Sequence, residues 1–309
     1  MAEPAITVRG LRKSYGDFEA VRDVDLTVER GEVFALLGPN GAGKTTTVEI
    51  LEGYRRRSAG EVDVLGHDPA RNERALKQRV GIVLQETGVE PYLTVEETVE
   101  LFRGFYPSPR PLQEVLEVVG LVGQRAMRVR KLSGGQRRRL DVAVGLAGDP
   151  ELLFLDEPTT GFDPSARRQA WEMVRSLRAL GKTVLLTTHY MDEAEQLADR
   201  VAILVQGRIV AEGRPRELIA QEAVTTINFR LPPDVPSEAL AAALGKAGNS
   251  LTAVDGRCTL HTPEPTHSLY ELTRWATEHG VELGELTVAR ASLEDIYLQL
   301  TRAAQEAEA

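Results

Sequence analysis

The sequence predicts an α/β protein with a small α+β domain at its C-terminal end. Short apolar strands alternate with helical stretches through most of the chain, as in a sheet that helices cover on both faces. A turn-rich segment, residues 231–237, lies between this body and a second series of strands and helices. We therefore expect one domain over residues 1–220 and a smaller accessory domain over residues 221–309.

The N-terminal residues alternate between apolar and polar side chains, which is typical of half-buried strands. Val24, Leu26 and Val28 stand at every second position, so this segment predicts an antiparallel β layer. Continuous apolar runs then predict strands of a mixed sheet that is buried on both faces. These runs are EVFALL (32–37), GIVLQ (81–85), LLFLD (152–156), TVLLTT (183–188) and VAILV (201–205).

Helix caps support the assignment of the stretches between the strands. Thr94 followed by Glu97 has the spacing of a capping box, and Asp163 followed by Pro164 places an N-cap before a proline at the first helical position. We expect a helical subdomain over about residues 86–150.

The C-terminal part has the element order β-α-β-β-α-β-α, which is the ferredoxin-like order with one added helix. The elements are TTINFRL, SEALAAALGKAG, SLTAV and CTLHT as a hairpin around Asp255, HSLYELTRWATEH, GELTVAR, and a final helix that starts at Ser292 with Asp295 as its capping partner.

Composition excludes several classes of protein. The longest apolar run has six residues, Ala239–Leu244, against the roughly 18 to 20 that cross a bilayer. We therefore expect no membrane-spanning segment, and the N-terminus shows no secretory pattern. The single cysteine, Cys258, fits a reducing compartment. A net charge of −9 argues against nucleic-acid binding.

The stretch LLGPNGAGKTTTVEIL (36–51) carries the strongest chemical signal. It contains G-x-x-x-x-G-K-[ST] between a predicted strand and a predicted helix, which is the pattern of a phosphate-binding loop. Gly38, Gly41 and Gly43 allow backbone N–H groups to turn towards phosphate oxygens. Lys44 should reach the β- and γ-phosphates, and the Thr45 hydroxyl should ligate Mg²⁺.

Two adjacent carboxylates, Asp156 and Glu157, end the apolar strand LLFLD. A carboxylate at the end of a buried strand is costly unless a cation meets it, and the Mg²⁺ of the phosphate loop is the natural candidate. Asp156 would then face the metal, and Glu157 would orient or deprotonate the attacking water. His189 also follows an apolar strand; the pattern alone leaves a structural role as open as a functional one.

A second glycine loop, KLSGGQRRRL (131–140), opens a later helix. With this loop, GPNGAGKT (38–45), Gln85, LLFLDEP (152–158) and His189 in this order and spacing, the chain resembles the ATP-binding subunit of ABC transporters over about residues 5–220. The fold class expected from the resemblance is a P-loop NTPase of the ABC ATPase type. The ending ASLEDIYLQLT (291–301) resembles the C-terminal domain of bacterial drug and antibiotic exporter ATPases, including the daunorubicin-resistance type.

The resemblance implies a role for each motif residue. The implied nucleotide-binding residues are Tyr15, which would stack on adenine, and Gly38, Pro39, Asn40, Gly41, Ala42, Gly43, Lys44, Thr45, Thr46 and Gln85. The implied Mg²⁺ residues are Thr45, Gln85 and Asp156, and the catalytic residues are Glu157 and His189. The residues Leu132, Ser133, Gly134, Gly135 and Gln136 would close on ATP bound by a partner subunit, and the loop of Gly161 and Asp163 would lie at the dimer contact. We expect the arginines 137–139 to form mainly a solvated face.

The resemblance further implies a homodimer that hydrolyses Mg·ATP at the cytoplasmic face of the membrane and drives a separately encoded permease. A soluble ABC-type ATPase acting on ribosomes or nucleic acid is the alternative. The single cassette and the absence of a long heptad insertion between Lys44 and Asp156 argue against it. A regulatory module that holds nucleotide without turnover is a third reading, against which Glu157 argues.

Overall fold

We describe the protein from a computed structural model, which covers residues 3–84, 88–221, 225–232, 235–245, 247–254, 256–290 and 292–308. The chain forms two compact units. One comprises Met1–Pro215 with Leu300–Ala309, and the other comprises Arg216–Gln299. The functional division into domains at residue 220 stays a prediction.

The first unit contains two sheets. Its strands in chain order are β1 (Ile6–Tyr15), β2 (Phe18–Val28), β3 (Val33–Leu37), β4 (Ala59–Val64), β5 (Val80–Val83), β6 (Leu152–Asp156), β7 (Thr183–Thr188), β8 (Arg200–Val205) and β9 (Arg208–Gly213). The larger sheet has the order β5-β6-β7-β3-β8-β9. Its first five strands are parallel to one another, and the edge strand β9 pairs antiparallel with β8. This is the mixed sheet that the apolar runs predict.

The smaller sheet is the predicted N-terminal antiparallel layer, with the order β2-β1-β4. Val24, Leu26 and Val28 of β2 are buried, as their alternation predicts, and they share one core with Phe34 and Phe154 of the larger sheet. The apolar face of the antiparallel layer thereby covers the mixed sheet.

Helices fill the connections between these strands. They are α1 (Lys44–Leu51), α2 (Arg74–Lys77), α3 (Val95–Arg103), α4 (Leu112–Val118), α5 (Gly134–Leu146), α6 (Pro164–Ala179) and α7 (Met191–Leu197). A further helix, α8 (Pro215–Gln221), follows β9. The Thr94–Glu97 capping box is present at the start of α3, and Asp163 caps α6 as predicted. Such caps stabilise a helix by about 1 kcal/mol each, so they help to fix where α3 and α6 begin.

The second unit is a helix-covered antiparallel sheet. It contains β10 (Thr225–Arg230), α9 (Ser237–Ala243), β11 (Leu251–Val254), β12 (Arg257–Thr262), α10 (Pro265–Glu278), β13 (Gly284–Arg290) and the first part of α11 (Leu293–Glu308), up to Gln299. The strand order β11-β12-β10-β13 is that of a ferredoxin-like sheet, which confirms the predicted topology. Cys258 is buried in its core beside Phe229 and Leu260. Asp255 of the predicted hairpin turn lies outside the described residues.

Across the described ranges, none of the helices combines the length and hydropathy that a bilayer-spanning segment needs.

Candidate active site

The carboxyl ends of the central strands bring the predicted site residues to one edge of the mixed sheet. Thr187 and Thr188 at the end of β7 pair with Asp156 of β6 and Leu37 of β3, respectively. The glycine loop follows Leu37, Glu157 follows Asp156 and His189 follows Thr188. Parallel pairing in this register therefore gathers the phosphate loop, the two carboxylates and the histidine.

The glycine loop between β3 and α1 packs too tightly against its neighbours to admit side chains at its two ends. A Cβ on Gly38 would lie 2.4 Å from the Leu204 carbonyl oxygen, and one on Gly43 would lie 2.4 Å from that of Ala20. Gly43 also has φ of +102°, which L-residues with side chains rarely adopt. The loop thus presents its backbone at the N-terminus of α1, where N–H groups favour an anion.

Lys44 is the buried cation of this loop. Its side chain is 6% exposed, and its Nζ donates hydrogen bonds to the carbonyls of Gly38 at 2.7 Å and Pro39 at 3.2 Å. Burial lowers the pKa of Lys44, while the charges of Glu157 and Asp156 oppose that shift. The ammonium therefore lies within the loop and in the field of both carboxylates.

A pocket of about 460 Å³ opens over the loop. Its lining includes these residues with a predicted nucleotide or catalytic role: Tyr15, Pro39, Asn40, Gly41, Gly43, Lys44, Thr45, Thr46 and Glu157. Of the remaining loop residues, Ala42 is buried in the core and Gly38 lies under the Lys44 ammonium. The Tyr15 ring lies at the pocket wall with Lys13 Nζ 4.9 Å from its centroid.

The carboxylates and the histidine form one hydrogen-bonded group. His189 Nδ1 lies 3.3 Å from Glu157 Oε1, and the Thr160 hydroxyl donates to Glu157 Oε2 at 2.9 Å. Glu157 itself has φ of +44°, in the left-handed region. A residue with a side chain held there costs about 1 to 3 kcal/mol, which is typical of a functional position.

The second glycine loop caps α5 and does not line the pocket of its own chain. The Ser133 hydroxyl accepts from Gln136 N–H at 3.2 Å, and the Gln136 side chain accepts from Ser133 N–H at 3.0 Å. Ser133 and Gly134 are exposed, Gly135 is half-buried and Leu132 is buried. The loop therefore presents a helix N-terminus outward, where nothing in this chain's own pocket meets it.

This geometry agrees with what the chain is similar to. The ABC transporter family model matches residues 21–160. The daunorubicin resistance ATP-binding protein DrrA3 of Streptomyces coeruleorubidus is 41% identical over 97% of each chain. The Nod factor export ATP-binding protein I of Ralstonia nicotianae is 39% identical over 96% of this chain and 94% of its own.

The chain belongs to the ATP-binding subunits of ABC transporters. It is an ATPase of the P-loop ABC type, and the C-terminal unit matches a family described as the C-terminal domain of ABC transporter domain-containing-like proteins, over residues 225–292. Among solved structures, CbiO1 of Clostridium perfringens is 27% identical with a TM-score of 0.65, and the match covers 72% of this chain and 92% of that chain. A bacterial cassette solved as a dimer bound to ADP and Pi is 26% identical with a TM-score of 0.60, covering 68% and 98%.

One predicted site residue of the cassette, Gln85, lies outside the described residues. The described residue before it, Leu84, follows the end of β5 at the same sheet edge. The predicted dimer loop lies after Glu157. Its Gly161 has φ of +77°, and the Asp163 carboxylate accepts hydrogen bonds from Ser165 and Ala166 N–H at the start of α6.

Sequence reasoning about the cassette missed several residues at the site. Phe18 pairs with Tyr15 across the β1–β2 hairpin, is 60% exposed and lines the pocket with Arg55. Thr187 is hydrogen-bonded to both residues of the carboxylate pair. An aromatic residue beside a predicted strand turn was a usable sequence signal for Phe18, whereas nothing in the sequence distinguished Thr187 within its apolar strand.

One sequence expectation about the cassette is wrong. Arg138, expected on a solvated helix face, is 7% exposed, while Arg137 is exposed and Arg139 is half-buried. A run of charges usually marks a solvated surface. Here one turn of α5 points its middle arginine into the protein, towards the strand ends.

Proposed function

We propose that this ATPase powers export of drugs, antibiotics or other small hydrophobic compounds through a separately encoded membrane permease. The names of its relatives support export, since these are drug-resistance and Nod factor export ATP-binding proteins that match over nearly the full chain. The observation that carries the ATPase assignment is the convergence of Lys44 and Glu157 at one pocket over the phosphate loop, with His189 in contact with the Glu157 carboxylate.

The proposed roles follow from position. The loop's N–H groups and Lys44 hold the phosphate chain, and Tyr15 stacks on the adenine. Glu157 faces the pocket with its carboxylate held by Thr160, so it orients and deprotonates the attacking water. His189, bonded to the same carboxylate, contacts the γ-phosphate.

The residues present also fit Mg²⁺. The Thr45 hydroxyl is exposed at the pocket and Asp156 is a half-buried carboxylate at the same edge, so both offer the hard oxygen ligands that this ion prefers. We propose Thr45, Asp156 and Gln85 as the residues that hold it. When bound, the ion would neutralise charge on the β- and γ-phosphates.

Two copies of the chain complete the site in this proposal. The exposed Ser133 and Gly134 at the start of α5 offer a second set of helix N–H groups, and the pocket of the same chain makes no use of them. They close on the γ-phosphate held by the partner's loop. A solved relative described as a dimeric bacterial cassette supports a symmetric pair, being 27% identical over 98% of its own chain with a TM-score of 0.59.

A groove beside α1 supports a permease partner at the cytoplasmic face of the membrane. It measures about 480 Å³ and is lined by Glu52 and Tyr54 after α1, by α2, by Val80 and Ile82 of β5, and by Phe102 and Tyr106. Tyr54 is 69% exposed, and Phe105, whose ring packs against Phe102 at 6.0 Å, is 67% exposed. Exposed aromatics around a groove are typical of a protein interface.

Affinity purification from detergent-solubilised membranes tests this function. We expect the chain to bring down a hydrophobic permease, and Tyr54→Ala with Phe105→Ala to lose that partner while the purified ATPase keeps its turnover. Tyr270→Ala, at a 58% exposed tyrosine of the second unit, is the matched control and should keep the partner. Recovery of ribosomes or nucleic acid instead would overturn the transporter role in favour of the soluble alternative.

A further inference from the structure

Arg138 is a buried cation that the proposed mechanism does not use. It lies within the first turns of α5, four residues after the helix begins at Gly134. Burial lowers the pKa of its guanidinium, against the opposing charges of Asp141, Asp156 and Glu193. A buried cation is costly unless polar groups contact it, so the groups around the Arg138 guanidinium indicate what this residue does.

The guanidinium holds the ends of two strands. It donates hydrogen bonds to the Leu84 carbonyl, just after β5, and to the Asp156 carbonyl at 2.5 Å, at the end of β6. Asp141, 5% exposed and one turn further along α5, lies 4.0 Å from the same side chain. The planar fork of an arginine can bond two separate carbonyls at once, which an ammonium on a flexible stem does less well.

These contacts connect the Ser133 loop with the end of β6 that precedes Glu157. The helix that carries Arg138 begins at the outward-facing Ser133 loop, and the carbonyl that it bonds belongs to Asp156, whose next residue is Glu157. The loop forms the N-terminus of α5, and Arg138 is the fifth residue of the same helix. A displacement of the loop therefore moves the guanidinium, and with it the backbone that presents Glu157 and the strand end at Leu84.

We propose that Arg138 is a positioning residue that couples the Ser133 loop to the Glu157 strand end within each subunit, so that closure on the partner's ATP sets the geometry of the subunit's own site. This rests on the proposed function, in which the Ser133 loop engages the partner's nucleotide. The coupling makes hydrolysis at the two sites of a dimer interdependent. Structural support alone would make the protein less stable without changing that interdependence.

The test compares variants of the full chain. Arg138→Lys keeps the charge but loses the fork, and Arg139→Lys is the matched control, because Arg139 donates to the Gly120 carbonyl at 3.1 Å, away from the strand ends. For Arg138→Lys we expect a nucleotide Kd within about twofold of wild type, a kcat lower by roughly 10- to 100-fold and a Hill coefficient reduced towards one. Arg139→Lys should retain both kcat and the Hill coefficient.

Asp141→Asn guards against a variant that fails to fold, since it leaves Arg138 in place and should change kcat and cooperativity in the same direction by a smaller factor. An Arg138→Lys protein with wild-type kcat, or with lower kcat and an unchanged Hill coefficient, overturns the coupling. Ser133→Arg separates this outcome from failure of the proposed function. If Ser133→Arg hydrolyses ATP as wild type does, the paired site itself is wrong, whatever Arg138 does.

Discussion

The Thr187 hydroxyl lies 2.5 Å from Asp156 Oδ1 and donates a hydrogen bond to it. The Thr187 hydroxyl oxygen in turn accepts a hydrogen bond from the Glu157 N–H at 3.0 Å. Thr187 of β7 and Asp156 of β6 are paired residues of neighbouring parallel strands, so the strand register brings the hydroxyl and the carboxylate together. One buried hydroxyl thereby orients the proposed magnesium carboxylate and holds the left-handed backbone of Glu157.

Replacing this hydroxyl should slow hydrolysis without removing nucleotide. We expect Thr187→Val to lower kcat by about tenfold or more, because the Asp156 carboxylate and the Glu157 backbone lose their fixed orientation, while the ATP Kd changes by less than about twofold. Steady-state ATPase assays and nucleotide titration measure the two quantities. Thr187→Ser should restore kcat.

Thr183→Val is the control for that substitution. Thr183 lies at the other end of the same strand, and its hydroxyl accepts the Gly31 N–H at 3.0 Å. Its loss should lower thermal stability and leave kcat intact. Equal losses of kcat in the two valine variants would contradict a specific role for Thr187.

Glu157→Gln should bind ATP as well as wild type and lose turnover by roughly 10²- to 10⁴-fold, because an amide cannot take a proton from water. Rapid-quench measurement of a single turnover separates this chemical step from product release. Glu172→Gln, at an exposed glutamate on α6, is the matched control and should hydrolyse normally. Undiminished hydrolysis by Glu157→Gln would remove Glu157 from its proposed role.

Much of this fold was predictable because its strands are buried on both faces. Continuous apolar runs mark such strands directly, because both faces are buried and the sequence need not indicate which one faces the core. The strands β6 and β7 have the bounds that the sequence indicates. The phosphate loop was equally clear, since Gly38 and Gly43 are required by backbone contacts that only glycine permits.

The parts that sequence could not predict depend on distant backbone. Arg138 looks like its neighbours Arg137 and Arg139 until the carbonyls of Leu84 and Asp156 are placed beside it. Thr187 likewise belongs to an apolar strand, and only the register of β6 against β7 gives its hydroxyl two partners. Side-chain type and spacing do not encode such contacts.

A mixed dimer tests whether the site is shared between subunits. Ser133→Arg and Lys44→Ala should each abolish hydrolysis, the first by blocking the partner's γ-phosphate and the second by removing the loop cation. In a heterodimer of the two variants, the loop with Lys44→Ala faces the loop with Ser133→Arg, so both defects lie at one site. The other site combines an intact Lys44 with an intact Ser133. Random exchange then restores about a quarter of wild-type turnover if the sites act independently, and less if they are coupled. A Ser133→Arg protein active by itself would contradict the paired site.

Glu52 makes the cassette's stability sensitive to pH. It ends α1 at the groove, where burial and then the charges of Asp156 and Glu49 raise its pKa from 4.5 to about 8. The folded state therefore holds this proton more tightly than the unfolded chain does. The resulting stabilisation is fully present below pH 4.5 and is lost as the pH rises towards about 8.

Glu52→Gln should remove that loss, because an amide stays neutral at every pH. We expect the variant's free energy of unfolding to exceed that of wild type by an amount that grows between about pH 5 and pH 8, with a slope of at most about 1.4 kcal/mol per pH unit. Denaturant titrations at a series of pH values measure it. Glu172→Gln, at an exposed glutamate on α6, is the control for loss of a carboxylate elsewhere on the cassette. If the difference in the free energy of unfolding between Glu52→Gln and wild type did not change with pH, the folded protein would keep this carboxylate charged at neutral pH.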